Sequence, residues 1–195
     1  MQVGIMGGTF DPVHQGHLLA AELAREAGGF DEVWFMPSYA PPHKQPGPVA
    51  TPGQRLEMVR LAIADHPSFR TTDIEIRMGG TSYTYDTVEM LQGRYPSVRF
   101  TYIIGGDMVM YLPKWYRINE LVERIGFMGL ARPGAPVHLE LLPASIRSRV
   151  TLVPMLQMEL SSTEIRRRRH EGLTVRYMVP EAVRMYMEVN RLYEG

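Results

Sequence analysis

Between Gly7 and His17 the chain reads GGTFDPVHQGH, a stretch whose residue types could together hold an anion. Gly7 and Gly8 follow the apolar run VGIM, and glycine there lets the backbone turn sharply and approach a ligand with no Cβ in the way. Pro12 stiffens the loop. His14 and His17 stand three apart at the start of LLAAELAREA, which reads as a helix, so both imidazoles can face one side of its first turn. That turn also offers unpaired N–H groups and a partial positive charge. The ensemble suits a phosphate.

Other readings of the same residues are weaker. Two histidines at this spacing could ligate zinc, but no cysteine and no HExxH accompany them. A Gly-Gly pair alone could be only a tight turn. GIMGGT is not GxGxxG and GxxxxGK[ST] does not occur, so neither a dinucleotide fingerprint nor a Walker loop is present.

Further segments carry chemistry. LSSTEIRRRRH reads as a helix opening, with Ser161 as cap, Glu164 closing the box, and the N–H groups of Ser162 and Thr163 free; Arg166 lies one turn in, and Arg167 to Arg169 read as a solvated face. TSYTYDTVEML reads as a second capped start, with Thr84 at or near the cap and the N–H groups of Tyr85 and Asp86 free to donate to a carboxylate. Lys44 follows two prolines, with His43 beside it; Asp107 follows Gly105-Gly106 and could accept from a ribose hydroxyl; Trp115 could stack on a ring or fill a core. Asp11 reads as a loop cap for the first helix.

What must position these residues is a series of short apolar runs: 3–6, 32–37, 73–77, 99–104, 126–131 and 150–154. Helical patterns lie between most of them. Leu19, Leu23 and Ala27 line one expected face and Leu56, Val59 and Ile63 another, with Thr51, Pro52 and Gln54 forming a start signal for the second. A last helix is expected from Pro180, burying Val183, Met187 and Leu192. Strands alternating with helices, some apolar throughout, imply an α/β fold: a doubly wound, Rossmann-like parallel sheet covered on both faces. Ligands in such sheets bind beyond the carboxyl ends of the strands, where the candidate residues fall.

Composition narrows the function. The 195 residues show no low-complexity linker, so one domain over 1–195 is expected. Twenty-one basic and twenty-one acidic residues cancel, which leaves no global field to draw the chain onto nucleic acid or an anionic membrane. The absence of cysteine rules out disulfides and thiolate metal sites. With no signal-like start and no long apolar run, a cytoplasmic location is expected. Oligomeric state is not legible, and a homo-oligomer is left open.

GGTFDPVHQGHL resembles the signature of the HxGH nucleotidyltransferases in the form found in bacterial nicotinate mononucleotide adenylyltransferases, and LSSTEIR is similar to that superfamily's second signature. PPHK, TSYTYDT, IIGGDMVMYLPKW, RPG and the ending GLTVRYMVPEAVRMYMEVNRLY match the same family in order, so the likeness spans the chain. Gly106 stands where the family more often has alanine or serine. The resemblance implies adenylyl transfer from ATP to nicotinate mononucleotide, giving deamido-NAD and pyrophosphate in NAD biosynthesis, with Mg²⁺ on the phosphates and no assigned protein metal ligand. His14, His17 and Arg166 would be catalytic. ATP would be bound by Gly7, Gly8, Thr9, Phe10, His14, His17, Gly105, Asp107, Ser162, Thr163 and Arg166. Nicotinate mononucleotide would be bound by Lys44, Thr84, Tyr85, Asp86 and Trp115. The alternatives are an adenylyltransferase of the same fold acting on nicotinamide mononucleotide or phosphopantetheine, and a nucleotide-binding module without turnover.

Overall fold

A computed structural model describes residues 1–40 and 47–195. Six parallel strands, β1 (Gln2–Gly8), β2 (Glu32–Pro37), β3 (Phe69–Thr71), β4 (Arg99–Gly105), β5 (Gly126–Ala131) and β6 (Val150–Pro154), form one sheet in the order β3-β2-β1-β4-β5-β6. The order reverses between β1 and β4, whose register pairs Gln2 with Arg99 and Met6 with Ile103. A crevice opens at that switch point beyond the strand ends, because the connections leave β1 and β4 toward opposite faces.

The helices are α1 (Gln15–Gly28), α2 (Pro52–Ala62), α3 (Ile74–Met78), α4 (Thr84–Arg94), α5 (Gly106–Val109), α6 (Ile118–Arg124), α7 (Ala144–Arg147), α8 (Ser162–His170) and α9 (Glu181–Val189). Side-chain alternation along the strands splits the core in two. On one face Met6, Phe35 and Ile103 pack with Ala20, Ala21, Ala24, Met58, Val59, Ile165, Val183 and Met187; on the other Ile5, Tyr102, Ile104 and Phe127 pack with Val88, Leu91, Val109, Leu121 and Ile146. Helices therefore cover both faces, as the unbroken apolar strands require.

Three sequence expectations need correction. The run at 73–77 is not a strand: the edge strand is Phe69–Thr71, and Ile74–Met78 is a helical turn. Its alternation imitates a strand, but Arg77 N–H bonds to the Asp73 carbonyl at 2.9 Å and the two side chains pair at 2.8 Å, an i,i+4 relation only a helix provides. The buried face of α1 is Ala20, Ala21 and Ala24, not Leu19, Leu23 and Ala27. Small residues let the helix lie close on the sheet while the leucines sit at its flanks, half buried. Leu192 is buried but lies beyond α9, which ends at Val189. The second helix starts as expected: Thr51 Oγ1 accepts from Gln54 N–H, and the Gln54 side chain accepts from Thr51 N–H.

Candidate active site

β1 ends in Gly7 and Gly8, and the chain then crosses the sheet edge into α1. A Cβ on Gly7 would lie 2.1 Å from the Tyr102 hydroxyl, so glycine is required here by the neighbouring strand as well as by any ligand. Phe10 follows in the left-handed region at φ 50°, a conformation that costs a bulky residue about 1–2 kcal/mol and persists where surroundings enforce it. What enforces it is Asp11. This buried carboxylate accepts from Val49 N–H (2.8 Å), Ala50 N–H (3.1 Å) and the Tyr193 hydroxyl (2.7 Å). Asp11 is thus a hub joining three distant segments, not a cap of α1.

His14 is the N-cap residue of α1, and His17 sits in its first turn. The rings stack with centroids 3.7 Å apart, and Phe10 holds the His17 ring edge-on at 5.1 Å. His14 N–H donates to His17 Nδ1 at 3.2 Å, so a neutral His17 carries its proton on Nε2. His14 is 6% exposed; burial, aided by the Arg132 charge, lowers its pKa to about 4. It is therefore neutral at physiological pH, and its buried Nδ1 has no hydrogen-bond partner within the protein.

The second signature folds onto the first. Ser161 caps α8, its Oγ accepting from Glu164 N–H at 3.2 Å, but the Glu164 carboxylate turns to Arg167 instead of closing the expected box. Ser162 Oγ donates to the Pro12 carbonyl at 2.9 Å, and Arg166 Nη1 donates to the Asp11 carbonyl at 2.7 Å. Two segments about 150 residues apart are so bound together, with the open first turns of α1 and α8 facing one space. That space is a cavity of about 710 Å³ whose walls include Gly7, Gly8, Thr9, Phe10, His14, His17, Gly105, Ser162, Thr163 and Arg166. Arg132 and an apolar rim of Met155, Leu156 and Met158 complete it. Asp107 is not among the lining residues; exposed in the first turn of α5, it folds back over Gly105 at the rim.

A second cavity, about 390 Å³, shares Gly8 and Thr9 with the first. Trp115 and Thr84 line it, joined by Ser38, Glu75, Ser82, Tyr83 and Tyr116. Thr84 is the first residue of α4, next to its cap position Tyr83, so it stands at the helix start as expected. The N–H groups of Thr84, Tyr85 and Asp86 fall where a helix supplies no carbonyl. The side chains of Tyr85 and Asp86 do not line the cavity: Tyr85 is buried beneath the Arg117 guanidinium at 3.8 Å, and its hydroxyl accepts from Arg124. The Trp115 indole is held edge-on by Tyr102 and Phe127. Lys44 and His43 lie outside the described residues.

Several residues of this site were silent in the sequence. Arg55 looked like one polar residue of α2, yet it is fully buried and donates to the carbonyls of Ala50, Thr9 and Tyr39, fixing the loop after β1. Arg132 had a signal, its position directly after β5. Ser38 had the same signal after β2 and Ser82 lies within TSYTYDT; both hydroxyls are buried and line the smaller cavity, that of Ser38 without a hydrogen-bond partner and that of Ser82 beside the Glu75 carboxyl. Among the described residues, no three His, Asp or Glu side chains group to hold a metal ion. No helix there is long and apolar enough to cross a membrane.

Comparison with known proteins agrees with this geometry. Residues 5–168 match the cytidylyltransferase-like family. The nicotinate-nucleotide adenylyltransferase of Bacillus subtilis (strain 168) is 44% identical over 199 aligned positions, covering 100% of this chain and 99% of that one. A probable nicotinate-nucleotide adenylyltransferase of Oceanobacillus iheyensis is 45% identical over 192, covering 98% and 96%. Among solved structures, the Plasmodium falciparum nicotinic acid mononucleotide adenylyltransferase complexed with NaAD superposes with a TM-score of 0.78 at 18% identity, covering 98% of this chain and 97% of that one, which speaks for the fold. With paired signatures on a 3-2-1-4-5-6 sheet and full-length relatives at this identity, the chain belongs to the cytidylyltransferase-like family and, within it, to the nicotinate-nucleotide adenylyltransferases.

Proposed function

We propose that the protein transfers the adenylyl group of ATP to nicotinate mononucleotide, releasing pyrophosphate and forming deamido-NAD. The observation that carries this reading is the meeting of the two cavities at Gly8 and Thr9, beyond the switch point of the sheet. A triphosphate between the first turns of α1 and α8 would bring its α-phosphorus close to that meeting point. The mononucleotide would lie with its ring beside Trp115 and its phosphate toward Thr9.

The nucleophile is a phosphate oxygen that is already anionic, so no side chain need be activated. It bonds to the α-phosphorus while the bond from that phosphorus to the bridging oxygen of pyrophosphate breaks. The protein holds two polyanions in line and meets the charge on the phosphoryl oxygens with fixed donors. His17 Nε2–H serves the α-phosphate. His14, neutral and buried, donates from one nitrogen without carrying a charge that would need its own counter-ion. The N–H groups of Ser162 and Thr163 and the Arg166 guanidinium serve the β and γ oxygens. Because Asp11 is the one carboxylate among the described residues lining the larger cavity, and its oxygens are engaged by Val49, Ala50 and Tyr193, Mg²⁺ would ride on the triphosphate and supply charge neutralisation there.

Acid is selected over amide by donor opposition at the start of α4. A carboxylate can accept from the free N–H groups, whereas a carboxamide turned one way sets its own NH₂ against them. Side-by-side assays of pyrophosphate release with ATP and nicotinate mononucleotide, nicotinamide mononucleotide or phosphopantetheine test this. Nicotinate mononucleotide should give the highest kcat/KM. Equal use of the amide would remove the α4 argument, preference for pantetheine would remove the substrate, and no turnover with any would leave only a nucleotide-binding module.

A further inference from the structure

Glu75 is a carboxylic acid in the wall of the cavity read above as the pyridine site, and it is only 4% exposed. An ionised carboxylate there would oppose a carboxylate on the ring. Hydrogen-bond accounting at Thr87 resolves the conflict. Thr87 Oγ1 lies 3.0 Å from Glu75 Oε1 and 3.1 Å from the Tyr83 carbonyl, and a threonine has one hydroxyl hydrogen for the two contacts. With Glu75 ionised, both neighbours are acceptors and one contact has no hydrogen. With Glu75 neutral, its O–H fills one contact and the Thr87 hydroxyl fills the other.

We propose that Glu75 is a specificity-determining positioning residue: as the neutral acid it donates to Thr87, leaves the Thr87 hydrogen for the Tyr83 carbonyl, and locks the first turn of α4 without placing a negative charge beside the substrate's carboxylate. This rests on reading the smaller cavity as the pyridine site. The surroundings agree. Burial raises the Glu75 carboxyl above the ordinary range against the opposing effect of hydrogen bonding. From β4 it faces the buried Tyr102 hydroxyl; the cavity wall adds Lys114, Tyr116 and Tyr83, of which Lys114 is exposed to solvent. On its own helix Asp73 and Arg77 neutralise each other, and Asp86 of α4 is not a wall residue.

The test is the pH dependence of KM for nicotinate mononucleotide from about pH 7 to about pH 9, above the range where its phosphate titrates, in the wild type and in Glu75→Gln. Glutamine keeps a donor for Thr87 and cannot ionise. Wherever Glu75 ionises within that range, KM for the mononucleotide in the wild type should rise about fivefold or more, a modest effect for two charges this near, while KM for ATP stays level. In Glu75→Gln the rise should vanish and the value near neutrality should persist. A KM for the mononucleotide in Glu75→Gln that falls severalfold below the wild-type value near neutrality, as removal of a negative charge would give, or the same rise with pH in both proteins, overturns the proposal; if the variant folds poorly, absence of the infrared band of a buried protonated carboxyl from the wild type near neutrality overturns it instead. Trp115→Ala separates the two failures: if it leaves KM for the mononucleotide unchanged, the cavity reading has failed; if it raises KM while Glu75→Gln keeps the wild-type slope, only the role of Glu75 has.

Discussion

The two cavities share Gly8 and Thr9 but are built by different means. The larger gathers two helix starts and one glycine-rich strand end with the imidazoles of His14 and His17 and the Arg166 guanidinium, braced by the long-range bonds from Ser162 and Arg166 to the carbonyls of Pro12 and Asp11. The smaller is walled by side chains, the rings of Trp115, Tyr116 and Tyr83 and the hydroxyls of Ser38 and Ser82. A triphosphate presents many equivalent oxygens, which preorganised N–H groups satisfy well. Discrimination between ring substituents needs shape, which side chains supply, and a few placed donors, which the start of α4 supplies. Changes in the larger cavity should therefore reduce turnover, and changes in the smaller should alter which mononucleotide is used.

The contrast is broken most sharply at His17. His17→Ala removes the Nε2–H donor and the acceptor of His14 N–H, and should lower kcat by ~10²-fold, about 3 kcal/mol, as deletion of one oxyanion donor does. KM for nicotinate mononucleotide should change little, and circular dichroism should show an intact fold. A kcat within about threefold of wild type would take His17 out of the reaction.

His14 gives the next effect, in stability. Its folded pKa of about 4 lies below the ordinary imidazole value of 6.5. The unfolded chain thus takes up a proton as pH falls through about 6.5, while the folded chain does not until about 4. Stability should be fully present above the upper value and decline between the two, by up to ~3 kcal/mol from this group alone. Urea unfolding across that window would measure it, and His14→Gln should flatten the slope. ATP should flatten it too, because triphosphate oxygens favour the charged ring. A slope unchanged in His14→Gln would show that the histidine is not held neutral.

Trp115 tests the smaller cavity. If the indole stacks on the pyridine ring, Trp115→Ala should raise KM for nicotinate mononucleotide about tenfold, within the range of aromatic stacking, with KM for ATP nearly constant. Equal increases for both substrates would mean that the indole supports the sheet and not a ligand. Its edge-on contacts with Tyr102 and Phe127 make that outcome the one to exclude.

The sheet was legible because parallel strands covered on both faces are rich in apolar residues, and five of the six apolar runs coincide with strands. The third strand was not, since a three-residue edge strand carries little pattern and the alternating Asp73–Arg77 segment beside it imitates one. The start of α8 was legible from its cap and that of α1 from the His14–His17 spacing, whereas the α1 cap is His14 and not the expected Asp11. The start of α4 was legible at Thr84, although the cap position itself is held by Tyr83, which has no capping side chain. Asp11 and Arg55 were misread or missed for a common reason. Their roles lie in contacts to backbone groups far along the chain, and a linear pattern records no such partner.

The smallest predicted effect bears on how the larger cavity keeps its shape. Tyr193, in the C-terminal segment, reaches back to Asp11 Oδ1 at 2.7 Å. Burial and the nearby carboxylate hold its hydroxyl protonated, so it acts as a donor throughout the working range. Tyr193→Phe deletes one of the bonds to the carboxylate while preserving the ring's packing. Asp11 would keep its bonds from Val49 and Ala50 and the field of Arg55 and Arg166, so the loss should be about 1 kcal/mol. In a chain of this size that lowers Tm by roughly 2–4 °C. Because Asp11 sets the loop that leads to His14 and His17, KM for ATP should rise by about twofold to fivefold while KM for the mononucleotide holds. A Tm drop with no change in KM for ATP would reduce the C-terminal strap to a stabilising role. Equal rises in both constants would mean that the cavities move as one unit and that the contrast between them is one of materials only.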